Sequence, residues 1–524
     1  MMDADISKIC SDTDFKPKHV VLYCTTTHDW LFPQLMEALR AKFDTKFTLI
    51  SSNHRKKHHE SFISEKDSIR VIEDFDVSMK TTKSKEKLDV EHVLTLANHF
   101  QKKYGLYYLR DIIQQDRSKL PLLFNSVGIS KSDLANDDGL IHEANLINKS
   151  FTYIEKFFQE NGDIDFVLIR PADYSSVAIC AVCDAKKVPV TFFHGSYFNL
   201  GAQWSAGPYM GNKIIDYIFQ NTKLGNDVIH QDTKPVQQWK APKKPNLRSL
   251  CKTLIRISWH RIEFFILDVK ARNFSARRAS FFNNVREEIN RYRKQIFLDR
   301  FTEQNLSKLT RQDYLYFPLP YEPEYTVQSL CRELNDIDFI IRLVALSLPV
   351  GVNLLVKEHQ RVSLRSKDFY TRLGQMPNVK FVHPAIGASD LISGSIGTIS
   401  LGGSTPVEAL KLGKKAFVFG RRNPYNGLPG IFYVKDLRNL AEVLSNELTN
   451  TTTSTASQRE FKRFYEIMKM LSFEASQTRL FRDGYKDRLE TEQAAKACEL
   501  FLLSGRVQKH YYNYGGVVDS NNSC

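Results

Sequence analysis

Three clusters of side chains in this sequence are of the types that can receive an anionic leaving group. The first is Val356-Lys357-Glu358-His359-Gln360, directly after a strand-like run. Lys supplies a compact point charge and His a directional donor whose protonation can be tuned, so Lys357 and His359 can aim at one anion. A surface lysine beside a salt-bridged histidine is the plainer alternative. The second is Ile399-Ser-Leu-Gly-Gly-Ser404-Thr405-Pro406-Val-Glu408, which reads as strand, Gly-Gly turn and helix start. Ser404 or Thr405 is a natural N-cap, and Pro406 suits a first helical turn. A helix N-terminus opened by glycines presents unpaired N–H groups and the positive dipole end, a phosphate site. An ordinary capped helix fits the same residues equally well. The run has neither the Gly-Lys-Ser/Thr ending of a P-loop nor the GxGxxG dinucleotide pattern. The third, Tyr321-Glu322-Pro323-Glu324, carries carboxylates to a strand end and is as readily a linker as a substrate contact. Two further residues could supply a base or nucleophile from the other half of the chain. They are Asp173, shortly after a strand ending near Ile169, and His194 in Phe-Phe-His-Gly-Ser. Either could equally be a capping residue.

The elements around these clusters alternate. In the first half, strands are expected at His19–Cys24, Lys46–Ser51, Phe166–Arg170 and Val188–His194, with helices near Leu31–Phe43 and Ser175–Lys187. Residues 52–150 read as helical decoration. In the second half, strands are expected at Tyr314–Pro318, Asn353–Lys357, Val379–Val382, Thr398–Leu401 and Ala416–Phe419. Helices are expected near Val327–Leu348, Ser366–Leu373 and Pro406–Leu412, further helices at Gln458–Leu503, and a polar tail from 505. Such alternation gives parallel sheets with crossover helices, whose ligands sit at the carboxyl ends of strands. The fold class is therefore α/β, GT-B-like: two doubly wound Rossmann-type domains, a basic helical connector and returning C-terminal helices. The expected divisions are an N-terminal Rossmann-like domain at 1–233, the connector at 234–310, a C-terminal Rossmann-like domain at 311–455, C-terminal helices at 456–504 and a tail at 505–524. Many functions share such a fold.

Composition narrows the class. With 524 residues, 42% hydrophobic and 12% aromatic, the chain can bury cores that a disordered protein could not. No apolar run reaches the roughly 18–20 residues of a membrane span, and the acidic N-terminus lacks the features of a signal peptide. Eight cysteines show no disulfide spacing, and Cys180-x-x-Cys183 sits in an apolar helical run that suggests buried thiols. A cytoplasmic location is expected. The net charge of +14 is uneven, since residues 234–312 hold 19 Lys/Arg against 6 Asp/Glu, a net of +13. A solvated connector, a surface resting on anionic lipid at the inner face of the cell membrane, and a nucleic-acid site are three readings of that charge. No nucleic-acid-binding motif accompanies it, so nucleic acid is not expected. Arg272, Arg277, Arg278, Arg291 and Arg293 are the arginines picked out for the lipid reading.

Taken in order, Tyr-Phe-Pro-Leu-Pro (316–320), Leu-Pro-x-Gly-x-x-Leu-x-Val-Lys-Glu-His (348–359), Asp-Phe-Tyr (368–370), Pro-Asn-Val-Lys-Phe-Val-His-Pro (377–384) and Ser-Thr-x-x-Glu-Ala-Leu-x-x-Gly-Lys (404–414) resemble a known family. It is that of the bacterial capsule polysaccharide biosynthesis proteins, of the retaining β-Kdo transferase type. The resemblance covers roughly residues 310–425. It implies a metal-independent glycosyltransferase, without cofactor, moving a sugar acid such as Kdo from a CMP-activated donor to a surface polysaccharide or glycolipid. It also implies acceptor binding by the domain at 1–233 and nucleotide-sugar binding by the domain at 311–455. Carried over, Lys357 and His359 would face the CMP phosphate, Ser404 and Thr405 would donate to it, and Glu408 would bind the ribose. Asp173, His194 and Glu322 remain the catalytic candidates. The sequence departs from the family at Gln360, where proline is usual. A UDP-sugar or CDP-glycerol-type transferase, the latter with His194 as base, and a non-catalytic basic scaffold remain the alternatives.

Overall fold

The computed structural model describes residues 15–23, 29–51, 53–71, 88–105, 137–169, 174–195, 200–207, 213–221, 247–256, 258–259, 278–320, 334, 336–359, 365–420, 423–449, 454–475 and 489–513. Two parallel sheets organise them. The first contains β1 (His19–Tyr23), β2 (Lys46–Ser51), β3 (Ser68–Val71), β4 (Phe166–Leu168) and β5 (Val190–Thr191), in the order β3-β2-β1-β4-β5. All five β1 residues are buried, as expected of a central parallel strand covered on both faces. The covering helices include α1 (Phe32–Lys42), α2 (Val90–Tyr104), α3 (Asp137–Glu160) and α4 (Tyr174–Ala185). Cys180 and Cys183 are buried in α4 and not joined in a disulfide, and burial pushes the Cys183 thiol up.

The second sheet has the same winding. It contains β8 (Tyr314–Pro318), β9 (Asn353–Lys357), β10 (Val379–Val382), β11 (Gly397–Ser400), β12 (Lys415–Val418) and β13 (Ile431–Tyr433), in the order β10-β9-β8-β11-β12-β13. Strand order reverses at β8, with β9 on one side and β11 on the other. A crevice at the carboxyl ends is expected at such a switch point. Local signals set the helix starts here. Asp336 accepts from Phe339 N ahead of α6 (Ile337–Ser347), and Ser366 accepts from Phe369 N ahead of α7 (Lys367–Leu373). The expected helix start at Val327 lies outside the described residues.

The structure corrects three expectations. Residues 52–150 are not solely helical, since Ser68–Val71 joins the first sheet beside β2. Val188–His194 is not one strand. β5 stays in the parallel sheet, but Phe192 N turns to Ser205 Oγ at 3.0 Å, and β6 (Phe193–Gly195) leaves to pair antiparallel with β7 (Ala202–Trp204). The C-terminal helix does not stop before 505. The chain closes with α10 (Ser454–Met470) and α11 (Thr491–Asn513), and Ser504, Val507 and Gln508 are buried. Gln508 Oε1 accepts from Val190 N in the first domain at 2.5 Å.

The returning helices belong to the first half. Trp204 Nε1 donates to Ala497 O at 2.8 Å, Gln203 donates to Met468 O at 2.9 Å, and Ala202 exchanges backbone bonds with Phe473. One apolar cluster contains Leu22, Phe166 and Trp204 of the first half, Phe464 and Phe501 of the returning helices, and Val407 and Leu410 of α9 (Thr405–Lys411). The architecture is thus GT-B-like: two doubly wound α/β sheets, with C-terminal helices crossing back onto the first.

Candidate active site

Lys357 ends β9, in register with Pro318 of β8 and Val382 of β10, which puts it at the sheet's carboxyl edge beside the switch point. Only 4% of it is exposed. Among the described residues, none accepts a hydrogen bond from its ammonium and none forms an ion pair with it within contact distance. The nearby charges are Glu408 of α9 and Asp390 of α8 (Ala388–Gly394). Burial pushes the Lys357 pKa down to about 8, while those two carboxylates pull it back toward the charged form. Tyr316, on the adjacent strand, has its phenol raised by burial, then by the charge of Glu408 and by Tyr314. At the end of β11 the Ser400 hydroxyl is buried and also without a partner among the described residues. Buried polar groups are nearly always bonded, so the unmatched Ser400 hydroxyl, with the Lys357 ammonium across β8 also lacking an acceptor among the described residues, marks a place where something else can bind.

Glu358 points elsewhere, and sequence reading passed over it. Its carboxylate accepts from Arg365 Nη1 at 2.8 and 3.1 Å, from the His359 backbone N at 2.7 Å, and from the Tyr370 hydroxyl. Both members of the Glu358–Arg365 pair are 1% exposed at the side chain. Burial alone would raise the Glu358 pKa, but Arg365, Lys294, Tyr370 and the His359 N–H together bring it below the usual carboxylate range. Arg365 Nη2 also donates to Pro320 O at 2.7 Å, and Lys294 of α5 (Arg278–Phe301) donates to Arg365 O. The bonds tie the ends of β8 and β9 to one buried ion pair. Lys357 and His359, flanking Glu358, are thereby set in place. The sequence offered a signal here: an acid between two candidate ligands, with Arg365 and the Asp-Phe-Tyr run just downstream.

The glycine turn after β11 is built from two requirements. Gly403 has φ +90°, and a Cβ placed there would meet nothing within 4 Å, so the turn opens to space on that side. A Cβ on Gly402 would come within 2.5 Å of Asn423 Oδ1. Asn423 holds the turn by donating to Leu401 O at 3.2 Å and Gly420 O at 2.8 Å, and Tyr425 OH donates to Gly403 O at 2.8 Å. Ser404 occupies the N-cap position of α9, but its side chain does not cap. Its hydroxyl donates instead to Glu408 Oε1 at 2.7 Å. The reason is geometric: Ser404 has helical φ and ψ (−83°, −21°) instead of the extended cap conformation, so its hydroxyl reaches forward one turn. Thr405 opens α9, with Pro406 following.

The structure therefore brings Lys357, Ser404 and Glu408 into one neighbourhood, with His359 half-buried just beyond Lys357. His194 stands in the first half, on the β6–β7 hairpin, partly buried, with Nδ1 3.1 Å from Gly195 O. Asp173 and Glu322 lie outside the described residues. Ser404 departs from the expectation that it donates to a phosphate, because its one hydroxyl proton goes to Glu408. What the group offers an anion is a mostly buried lysine and the Thr405 hydroxyl beside a glycine turn, with a carboxylate able to accept from a sugar hydroxyl.

The basic segment divides in two. In α5, Arg291 pairs with Glu288 at 2.7 Å, Lys294 is buried against the Glu358 pair, and Leu298 joins the second domain's core. His383 donates through Nε2 to Asp299 at 2.7 Å while its Nδ1 accepts from Ala385 N. α5 is thus a structural helix of the second domain more than a free cationic surface. Arg272 and Arg277 lie outside the described residues.

No protein-family model matches the chain, and no curated protein matches it. Among solved structures it is similar to the Staphylococcus aureus MnaA–UDP complex at 9% identity and a TM-score of 0.25, over 86% of this chain and 96% of that one. It is similar to Methanocaldococcus jannaschii UDP-GlcNAc 2-epimerase in complex with UDP-GlcNAc and UDP at 11% and 0.24, over 86% and 98%. It is also similar to Thermosulfurimonas dismutans KpsC, a β-Kdo 2,4 transferase, at 13% and 0.28, over 57% and 79%. Likenesses this weak carry nothing about ligand or reaction, and the family resemblance of residues 310–425 stands on its motifs.

Proposed function

We propose that this protein is a glycosyltransferase that binds a nucleotide-activated sugar at the carboxyl ends of β8, β9 and β11, with a CMP-linked sugar acid such as Kdo as donor. The observation that carries the reading is Lys357, a residue 4% exposed whose ammonium has no hydrogen-bond acceptor among the described residues. A cation most of whose side chain is buried acts on an incoming phosphate through a lower effective dielectric than a lysine on an open surface does. When the bond between phosphate and sugar breaks, charge grows on the departing phosphate oxygens. In this reading Lys357, His359 and the Thr405 hydroxyl stabilise that growth, and Ser404, whose one hydroxyl proton goes to Glu408, would have to turn away from that carboxylate to donate to the phosphate. Glu408, already accepting from Ser404, keeps an oxygen for a ribose hydroxyl. The group acting on the acceptor or on the sugar carbon is sought among Asp173, His194 and Glu322. The acceptor is a surface polysaccharide or glycolipid.

A thermal-shift panel tests the nucleotide. Ligand at 100 times its Kd stabilises by about 2.7 kcal/mol, a shift of several degrees. CMP should raise Tm in the wild type and leave Lys357→Met unmoved. A response to UDP or CDP but not CMP would transfer the assignment to the other donors, and no response to any nucleotide would refute it.

A further inference from the structure

The helical residues at 247–256 and 258–259 carry two adjacent stripes. Leu247, Cys251, Ile255 and Trp259 recur every four residues and are all exposed, with Leu247 61%, Ile255 67% and Trp259 66% open to solvent. One position on, Arg248, Lys252 and Arg256 recur at the same interval and are also exposed. Spacing of four keeps each set on one helix face, so an apolar ridge runs beside a cationic one. Buried chains rarely leave three large apolar side chains this open in one row.

We infer that this helix docks the protein on the surface of an anionic lipid bilayer, with the apolar ridge entering the headgroup boundary and the basic ridge lying against lipid phosphates. The arrangement is that of an interfacial helix. Charge complementarity selects the occupant. A second copy would bring like charge against like on a chain of net charge +14. An RNA backbone would satisfy Arg248, Lys252 and Arg256 but leave Leu247, Ile255 and Trp259 in water. Only a surface that is both anionic and apolar beneath satisfies both ridges. The inference is independent of which nucleotide the other site takes.

Vesicle sedimentation tests it. The intact protein should pellet with phosphatidylglycerol/phosphatidylcholine vesicles at low salt and stay in solution with phosphatidylcholine alone. It should be released at 1 M salt, where the Debye length is about 3 Å. Arg248→Ser, Lys252→Ser and Arg256→Ser together should weaken partition roughly 100-fold, each basic residue near an anionic leaflet contributing about a fivefold factor. Ile255→Asp should abolish partition with Tm unchanged, because the residue is exposed. The wild-type Trp emission should shift to the blue on vesicles, and Trp259→Phe should remove that shift. Failure of the wild type to pellet with anionic vesicles at low salt overturns the inference, whether or not it then binds RNA or self-associates. Pelleting that is unchanged in Ile255→Asp overturns the assignment to this helix.

Discussion

A buried lysine with no hydrogen-bond partner among the described residues makes its binding site sensitive to pH in a direction that can be worked out. The Lys357 pKa is about 8 in the folded chain, below its ordinary 10.5, because burial penalises the charged form. The unfolded chain therefore binds more protons between pH 8 and 10.5. The cost of burying the charge is fully present below pH 8 and is relieved as pH rises through that window. A bound phosphate reverses the penalty and raises the pKa again. Nucleotide binding near pH 8 should thus take up protons, and affinity should fall by up to about tenfold per pH unit above 8. Calorimetry in two buffers of different ionisation enthalpy measures the uptake; equal apparent enthalpies at pH 8 would show that Lys357 does not meet the ligand. His359 belongs to the same scale. His359→Ala should reduce turnover at least about 100-fold, the size of effect seen when a transition-state donor is removed, with Tm nearly unchanged. A large drop in Tm with a small drop in rate would make His359 structural. The position of Lys357 and His359 at a strand end was legible in the sequence, because a continuous apolar run leads into them. Glu358 was passed over, since the tripeptide alone does not say that its middle carboxylate turns inward, and the signal lay outside it, in Arg365 and Tyr370 downstream.

At the scale of elements, the buried Glu358–Arg365 pair fixes the two strand ends that frame the site. Removing one partner of such a pair leaves an uncompensated charge, at a cost of about 3–5 kcal/mol. Arg365→Leu should destabilise by that amount in urea denaturation and should also weaken nucleotide binding, because the Pro320 and His359 contacts relax together. Full stability in the variant would mean that water reaches Glu358. The order of strands and helices in the second domain was legible from hydrophobic runs punctuated by glycine, proline and caps. The edge strand Ser68–Val71 was hidden because all four of its residues are only half-buried, and half-buried edges lack the continuous apolar run that identifies a central parallel strand. Ser404 shows the limit of cap reasoning. Its type and position fit a cap, yet its backbone is already helical, so the hydroxyl binds Glu408.

For the whole molecule, the decisive join is between the returning helices and the first domain, and residue pairs 250–300 apart in sequence make it. No local pattern announces such contacts, which is why the chain after 505 read as a tail although α11 buries Val507 and Gln508. Gly201 sits at the join with φ +107°, and an added Cβ would run into Phe473 O where the bridge to Ala202 forms. Gly201→Ala should therefore cost about 2 kcal/mol or more, seen as a lower Tm and earlier proteolysis of the C-terminal helices. A neutral result would mean that the bridge is dispensable.

The central claim is that the buried Lys357 is the seat of a nucleotide phosphate, and a calorimetric titration of CMP into wild type and Lys357→Met tests it most directly. The wild type should bind one CMP per chain with proton uptake at pH 8. Lys357→Met should lose binding while its Tm holds or rises, since the buried charge has been replaced by an apolar side chain of similar length. CMP binding of equal affinity in both proteins would contradict the account.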